Sequence, residues 1–277
     1  MKIELDGTTA LVTGSTQGIG FAIARGLAAA GARVIVNGRS TETTDAARAR
    51  LLESLASDAD FAALDDETRE ARVVTLAADL ATEAGAQAAV AAFPEVDVLV
   101  NNLGVFGSAD ALSIDDDEWR RYFETNVLSA VRLTRADLPG MMQLGWGRVQ
   151  YIASDSAIVT PVEMIHYGVS KTALLGVSRG FAKAAAGSGV TVNSVIAGPT
   201  HTGGVEEFVR ELVGDDLPWD EAQHEFMLKH RPQSLIQRLI EPEEIANMVV
   251  YLSSRFASAT TGGALRVDGG YVDAIVP

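Results

Sequence analysis

A tyrosine and a lysine stand four residues apart in the run Tyr167-Gly168-Val169-Ser170-Lys171, the spacing that puts two side chains on one helix face. A free phenol ionises near pH 10, too high for a proton carrier at neutrality, and an ammonium held beside it would favour the phenolate. Ser154 closes the segment YIAS 13 residues before the tyrosine, where its hydroxyl could hold the same substrate oxygen. Ser156 is the neighbouring alternative, with the spacing to Tyr167 favouring Ser154. A proton carrier and a hydrogen-bond donor on one oxygen suit the interconversion of a carbonyl and a secondary alcohol, with hydride carried by a nicotinamide. The chain has no cysteine, so it brings no thiol or disulfide redox chemistry of its own.

A cofactor of that kind needs a cradle for its pyrophosphate. The segment Thr13-Gly14-Ser15-Thr16-Gln17-Gly18-Ile19-Gly20 follows an apolar strand-like run and opens a helix-like one. Gly14, Gly18 and Gly20 allow backbone to approach the phosphates, and free N–H groups at the helix start attract them; Ser15, Gln17 and Ile19 are carried along as contacts. The spacing is Gly-x-x-x-Gly-x-Gly rather than G-x-G-x-x-G. About 20 residues on, where an acid would bind the ribose hydroxyls of NAD, stands Asn37-Gly38-Arg39. An arginine pairs with a 2′-phosphate that an aspartate would repel, so NADP(H) is favoured, with NAD(H) as the second option. Asp79 and Leu80, then Asn102 and Gly104, follow the third and fourth strands and are read as adenosine and ribose contacts.

Apolar runs at 8–12, 33–36, 73–76, 96–100, 147–152 and 191–195 alternate with helix-period segments at 18–30, 41–55, 82–92, 116–142 and 166–186. The pattern predicts an α/β fold: a doubly wound parallel sheet, Rossmann-type, with helices on both faces. The whole chain, 1–277, reads as one such domain. The acidic stretch 57–70 reads as a surface extension, and 200–241, with amphipathic pieces at 205–213 and 220–230, as an insertion lidding the substrate.

A net charge of −15 argues against nucleic-acid and anionic-membrane partners. The chain has neither a membrane-length apolar run nor a signal-peptide pattern, which predicts a cytoplasmic protein. The four histidines, His166, His201, His224 and His230, form no ligand spacing, so no metal is expected. His166, His201, Asp155 and Met164 lie beside the expected site in sequence, and Phe106, Phe208, Trp219 and Phe226 suggest a moderately apolar carbonyl substrate.

The succession TGSTQGIG, Asp79-Leu80, NNLG, Asn126, Ser154, YGVSK, Asn193, AGPT and a late VDGG resembles the short-chain dehydrogenase/reductase superfamily in its single-domain form. The resemblance implies that Asn126 holds a water relaying protons through Lys171, that Lys171 also binds the nicotinamide ribose, and that 197–202 embraces the carboxamide. Gly198, Pro199, Thr200 and Thr202 are the contacts this implies, the threonines towards the pyrophosphate. It also implies a homotetramer, or a homodimer, built on the helices at 116–142 and 166–186. Leu103 stands where an alanine is usual, Ala197-Gly198 where proline-glycine is usual, and Gln17 where NADP-preferring members often carry a basic residue. Substrates of relatives include 3-oxoacyl thioesters and sugars or polyols. Two other classes share parts of the pattern: a non-catalytic cofactor-binding regulator, which would lack Ser154, Tyr167 or Lys171, and a sugar-nucleotide epimerase or dehydratase, which differs in glycine spacing.

Overall fold

A computed structural model describes residues 2–214 and 216–275. In chain order the elements are β1 (Thr9–Val12), α1 (Gly18–Ala29), β2 (Arg33–Gly38), α2 (Thr41–Leu55), α3 (Ala59–Ala62), α4 (Asp66–Arg72), β3 (Val73–Ala77), α5 (Glu83–Ala92), β4 (Val98–Asn101), α6 (Asp116–Phe123), α7 (Ser129–Leu144), β5 (Gly147–Ser154), α8 (Ile165–Ala184), β6 (Val190–Ala197), α9 (Gly203–Val213), α10 (Trp219–His230), α11 (Pro242–Ser253) and β7 (Ala264–Val267). The strands pair in the order β3-β2-β1-β4-β5-β6-β7, every pair parallel. This is the doubly wound sheet expected from strands apolar along their whole length, which can only be covered on both faces. One face packs Ile23, Leu27, Leu51 and Val249 over Val34 and Val195; the other packs Leu133, Leu138 and Leu174 over Leu99 and Val149.

Because all seven strands run the same way, their C-terminal ends lie along one edge, and the order reverses between β1 and β4. A crevice opens outside the strand ends at such a reversal. The residues following β1, β4, β5 and β6 therefore share that edge.

Three local features depart from the simple pattern. The single helix expected over 116–142 is interrupted by a π turn, Glu124–Leu128, between α6 and α7. The stretch 57–70 folds into α3 and the start of α4, with Asp65 capping Thr68 N–H at 2.7 Å and Phe61 buried against the core. Finally, α9 and α10 build a small apolar cluster of their own, around Val209, Ala222, Phe226, Met227 and Leu239. The helix α11 and strand β7 complete the chain; α11 starts with a Glu241–Glu244 capping box and Pro242 in its first turn.

Candidate active site

The glycine segment joins β1 to α1, and its shape is set by polar side chains from neighbouring strands. Asn37 is buried at the end of β2; its Oδ1 accepts from Gly14 N–H at 3.0 Å, and its Nδ2 donates to Leu76 and Ala78 carbonyls at 3.1 and 3.0 Å. Asn102 Nδ2 donates to the carbonyls of Thr13 (2.9 Å) and Gly14 (3.1 Å). Gly14 and Gly18 take φ of 61° and 56°, the left-handed region open to glycine. A Cβ at Gly20 would stand 2.5 Å from both Asn102 Nδ2 and Gly14 O. The loop is thus pulled in closely enough that only hydrogen fits.

A cleft of about 330 Å³ runs from this loop along the strand ends. Gly14, Gln17, Gly18, Ile19 and Gly20 line one end, with Asn102 and Gly104 from the β4 loop. Gly198, Pro199, Thr200 and Thr202 from the β6 loop form one wall, and Thr202 Cγ2 would lie 3.2 Å from a Cβ on Gly18, so it stands directly over the glycine loop. Thr202 also caps α9, accepting from Val205 N–H at 3.3 Å. The N-termini of α1 and α9 therefore both border the cleft, an arrangement suited to an anionic pyrophosphate. The glycine cradle, which any Cβ would fill, fits a dinucleotide.

Ser154, Tyr167 and Lys171 meet at the other end. Ser154 ends β5, and Tyr167 and Lys171 sit on the first turns of α8. Burial pushes the Tyr167 phenol above its ordinary value, partly offset by a hydrogen bond with the Ser154 hydroxyl. The expectation that Lys171 lowers the phenol is not what governs here. The Lys171 ammonium lies 5.7 Å from the Tyr167 ring centroid and donates to the Ile152 carbonyl at 2.8 Å, so desolvation dominates both groups. It lowers Lys171 to about 8.

Behind them, the π turn carries Asn126 inward. Its Oδ1 accepts from Val105 N–H at 2.8 Å, and its Nδ2 donates to Val105 O at 3.0 Å and Ser170 Oγ at 2.9 Å. A Cβ on Gly104 would lie 3.3 Å from Lys171 Nζ and 3.4 Å from Asn126 Oδ1. Asn126 thus fastens the β4 loop to α8, beside the lysine.

Besides Asn126, which stands behind the cleft, four of the cofactor contacts expected from sequence lie outside its lining: Ser15, Leu80, Asp79 and Arg39. Ser15 is fully buried, its hydroxyl donating to Val12 O at 2.7 Å and accepting from Asn37 N–H at 2.9 Å. Leu80 is buried in the core, and Asp79 turns its carboxylate to Ala81 N–H at 3.1 Å. Arg39 is exposed just beyond β2. Asn193 ties β6 to the β7 approach, donating to Thr260 O at 2.7 Å and accepting from Gly263 N–H at 3.1 Å. His166 is buried against Tyr122, with 4.0 Å between centroids, and His201 pairs with Glu206 at 2.6 Å while stacking on Trp219. Phe106, Met164, Phe208 and Phe226 do line the cleft.

Two further groups have no signal in their local sequence. Asn37 reads from sequence only as the place of a missing acid, whereas it holds the glycine loop. Arg231 lines the substrate end of the cleft, 76 residues from Ser154's neighbour Asp155, a distance no local motif spans. Among the described residues no group of three or more His, Asp or Glu could hold a metal, and no helix is long and apolar enough to cross a membrane.

A parallel sheet with a glycine cradle and a serine–tyrosine–lysine group along one edge defines a nicotinamide-dependent oxidoreductase working between carbonyl and alcohol. The chain belongs to the short-chain dehydrogenase/reductase family. Residues 14–272 match a family model described as enoyl-(acyl carrier protein) reductase. The chain is 48% identical to the uncharacterized oxidoreductase YvaG of Bacillus subtilis, over 99% of this chain and all of that one. It is 33% identical to a D-beta-hydroxybutyrate dehydrogenase of Cupriavidus necator, over 97% of this chain and 99% of that one. Among solved structures it resembles L-sorbose reductase from Gluconobacter frateurii, complexed with NADPH and L-sorbose. There the TM-score is 0.87 at 31% identity, covering 99% of this chain and all of the other.

Proposed function

We propose that this protein is an NADP(H)-preferring carbonyl reductase and alcohol dehydrogenase whose proton carrier is Tyr167. The carrying observation is the convergence of Ser154, Tyr167 and Lys171 at one end of a cleft whose other end is the glycine cradle. A bound nicotinamide supplies or takes the hydride. Ser154 holds the carbonyl oxygen, and Tyr167, which burial keeps protonated, delivers its proton to that oxygen during reduction. Lys171 releases the Ile152 carbonyl to bind ribose hydroxyls and to favour the phenolate as it forms. Asn126 acts as a positioning residue, since its side chain is already spent on Val105 and Ser170.

The preference for NADP(H) rests on Arg39 and on an absent acid at Asn37. Arg50 adds a second cation on that side: it donates to Thr16 O at 2.6 Å, and Thr16 packs by Gly38. The NADPH of the sorbose reductase supports the same choice. The α9–α10 unit serves as a lid over the substrate end, hinged near Thr202, where helix cap and cleft wall coincide. Leu128, Met142 and Val169 are exposed in the π turn, α7 and α8, which suits burial of these helices in a cytoplasmic homotetramer; sedimentation as a monomer would exclude that assembly.

The test is oxidation of NADPH and NADH by purified protein across ketones, 3-oxoacyl thioesters and ketoses, with Tyr167→Phe as control. The variant should lose about a thousandfold in kcat while its NADPH Kd moves less than about twofold. Full activity in Tyr167→Phe would refute the assignment.

A further inference from the structure

One aromatic ring touches both the proposed proton carrier and the lid. Phe106 lies in the loop that follows β4, and the protein holds that loop on either side of it. Val105 donates its N–H to Asn126 Oδ1 at 2.8 Å and accepts from Asn126 Nδ2 at 3.0 Å, while Ala109 N–H donates to Glu163 O at 2.8 Å. The backbone around Phe106 is therefore fastened to the π turn and to the segment before α8. The side chain lines the cleft with 44% of the residue exposed, so core packing does not account for it. Its ring meets that of Tyr167 edge-on, with 6.3 Å between centroids and 61° between planes. Its tip meets α9: a Cβ on Gly204 would lie 3.1 Å from Phe106 Cζ and 3.6 Å from Cε1. A Cβ on Gly203, one residue earlier, would meet nothing within 4 Å.

A ring so placed bounds the space beside the reacting carbonyl. Tyr167 and Phe106 are in contact, so no atom passes between them, and a substituent lying against the phenol ends at the phenylalanine. The wall is stiff because its backbone is fastened and the first turn of α9 stands against its tip; moving the ring requires moving the lid. Building on the carbonyl-reductase reading above, we infer that Phe106 is the specificity-determining wall for one substituent of the carbonyl compound, and that Gly204 lets α9 close onto it. The substrate class is then a ketone with one short substituent, or the secondary alcohol made from it, the other substituent being unrestricted by this ring. The moderately apolar compound suggested by the aromatic residues thereby acquires a size limit on one side.

The test compares acetophenone with butyrophenone, which differ only in a methyl against a propyl group, using NADPH and intact protein. The wild type should favour acetophenone by about 30-fold or more in kcat/KM, a discrimination that two methylenes allow in an apolar pocket. Phe106→Ala should bring that ratio below about threefold, with Phe106→Leu between the two and NADPH Kd within about twofold in both variants. Gly204→Ala sets a Cβ against the ring and should lower kcat/KM for acetophenone about tenfold; made in Phe106→Ala protein, it should cost less than about twofold. Separate structural roles for the two residues would not couple them in this way. Equal kcat/KM for the two ketones in the wild type, an unchanged ratio in Phe106→Ala, or a Gly204→Ala cost that persists without the ring would overturn the wall while leaving the reductase reading intact. That reading fails instead if no carbonyl compound, from this pair or the wider panel, is turned over. Where the wild type turns over neither phenone, saturation-transfer NMR on NADP+-bound protein decides the wall. A stronger signal for acetophenone, with the difference lost in Phe106→Ala, supports it, and equal signals overturn it.

Discussion

The two ends of the cleft are built on opposite principles. At the glycine end, polar side chains turn inward on the protein: Asn37, Asn102 and Thr13 spend their hydrogen bonds on the loop itself, Thr13 Oγ1 accepting from Asn102 and Leu103 N–H at 2.9 and 2.8 Å. What the cofactor meets there is backbone. At the other end, Asp155 Oδ2 and Arg231 Nε have no hydrogen-bond partner among the described residues, and α9 and α10 pack on a small apolar cluster of their own. A shape kept by self-satisfied bonds is fixed with the sheet, whereas α9 and α10, packed on their own cluster, can be retuned without touching it. The difference teaches how each end is held: the glycine loop by hydrogen bonds from the strands' own residues, the far end in part by a helical pair with a core of its own.

The comparison can be strained most by pH, which acts on the substrate end alone. Reduction needs the Tyr167 proton, and burial holds that proton above the ordinary value of a phenol, so reduction should be level from pH 6 to about 8. Above about 8 it should fall as Lys171 loses its charge. Oxidation needs the phenolate, whose fraction rises tenfold per unit, so kcat/KM for the alcohol should climb about 100-fold between pH 6 and 8. Parallel profiles in the two directions would contradict the assignment of Tyr167. NADPH binding, read by its fluorescence, should change little over the same range below pH 8.

Gly20→Ala comes next. Its Cβ would meet Asn102 Nδ2 and Gly14 O at 2.5 Å, a conflict worth about 2 kcal/mol, so NADPH Kd should rise roughly thirtyfold with kcat at saturation nearly unchanged. A loss in kcat with Kd intact would mean that the two ends are not separable. The smallest effect belongs to Arg39→Ala, an exposed group: Kd for NADPH should rise about tenfold and that for NADH less than twofold. Equal shifts would remove the 2′-phosphate from its role.

The same asymmetry governs how much the sequence disclosed. The glycine loop, YGVSK and the strand-helix alternation are local patterns, and each lies where its spacing predicts. The limits of α2, Thr41–Leu55, coincide with the expectation because Ser40 caps it by accepting from Thr43 N–H at 3.3 Å. The stretch 57–70 reads as a surface extension, yet it carries helix signals of its own, Asp65 before an acidic first turn and Arg69 and Arg72 in the last. Helical periodicity ran unbroken through 116–142, because a π turn alters phase by one residue and leaves composition unchanged. Asp155 and Arg231 line one cleft although 76 residues separate them, and nothing within either neighbourhood announces it.

That π turn has a consequence for how the enzyme can be altered. It amounts to one extra residue wound into an otherwise continuous rod, and it is what turns Asn126 towards Val105 and Ser170 while α7 keeps Leu133 and Met141 against the sheet. Deleting one residue of 124–128 would restore an ordinary helix and leave α6 and α7 near their present phase, because the π turn absorbs the extra residue. The loss would fall on the turn itself, and with it on the inward placement of Asn126. Shuffled variants that exchange segments between relatives should therefore keep 116–144 whole, since a crossover within it must match not only sequence but winding.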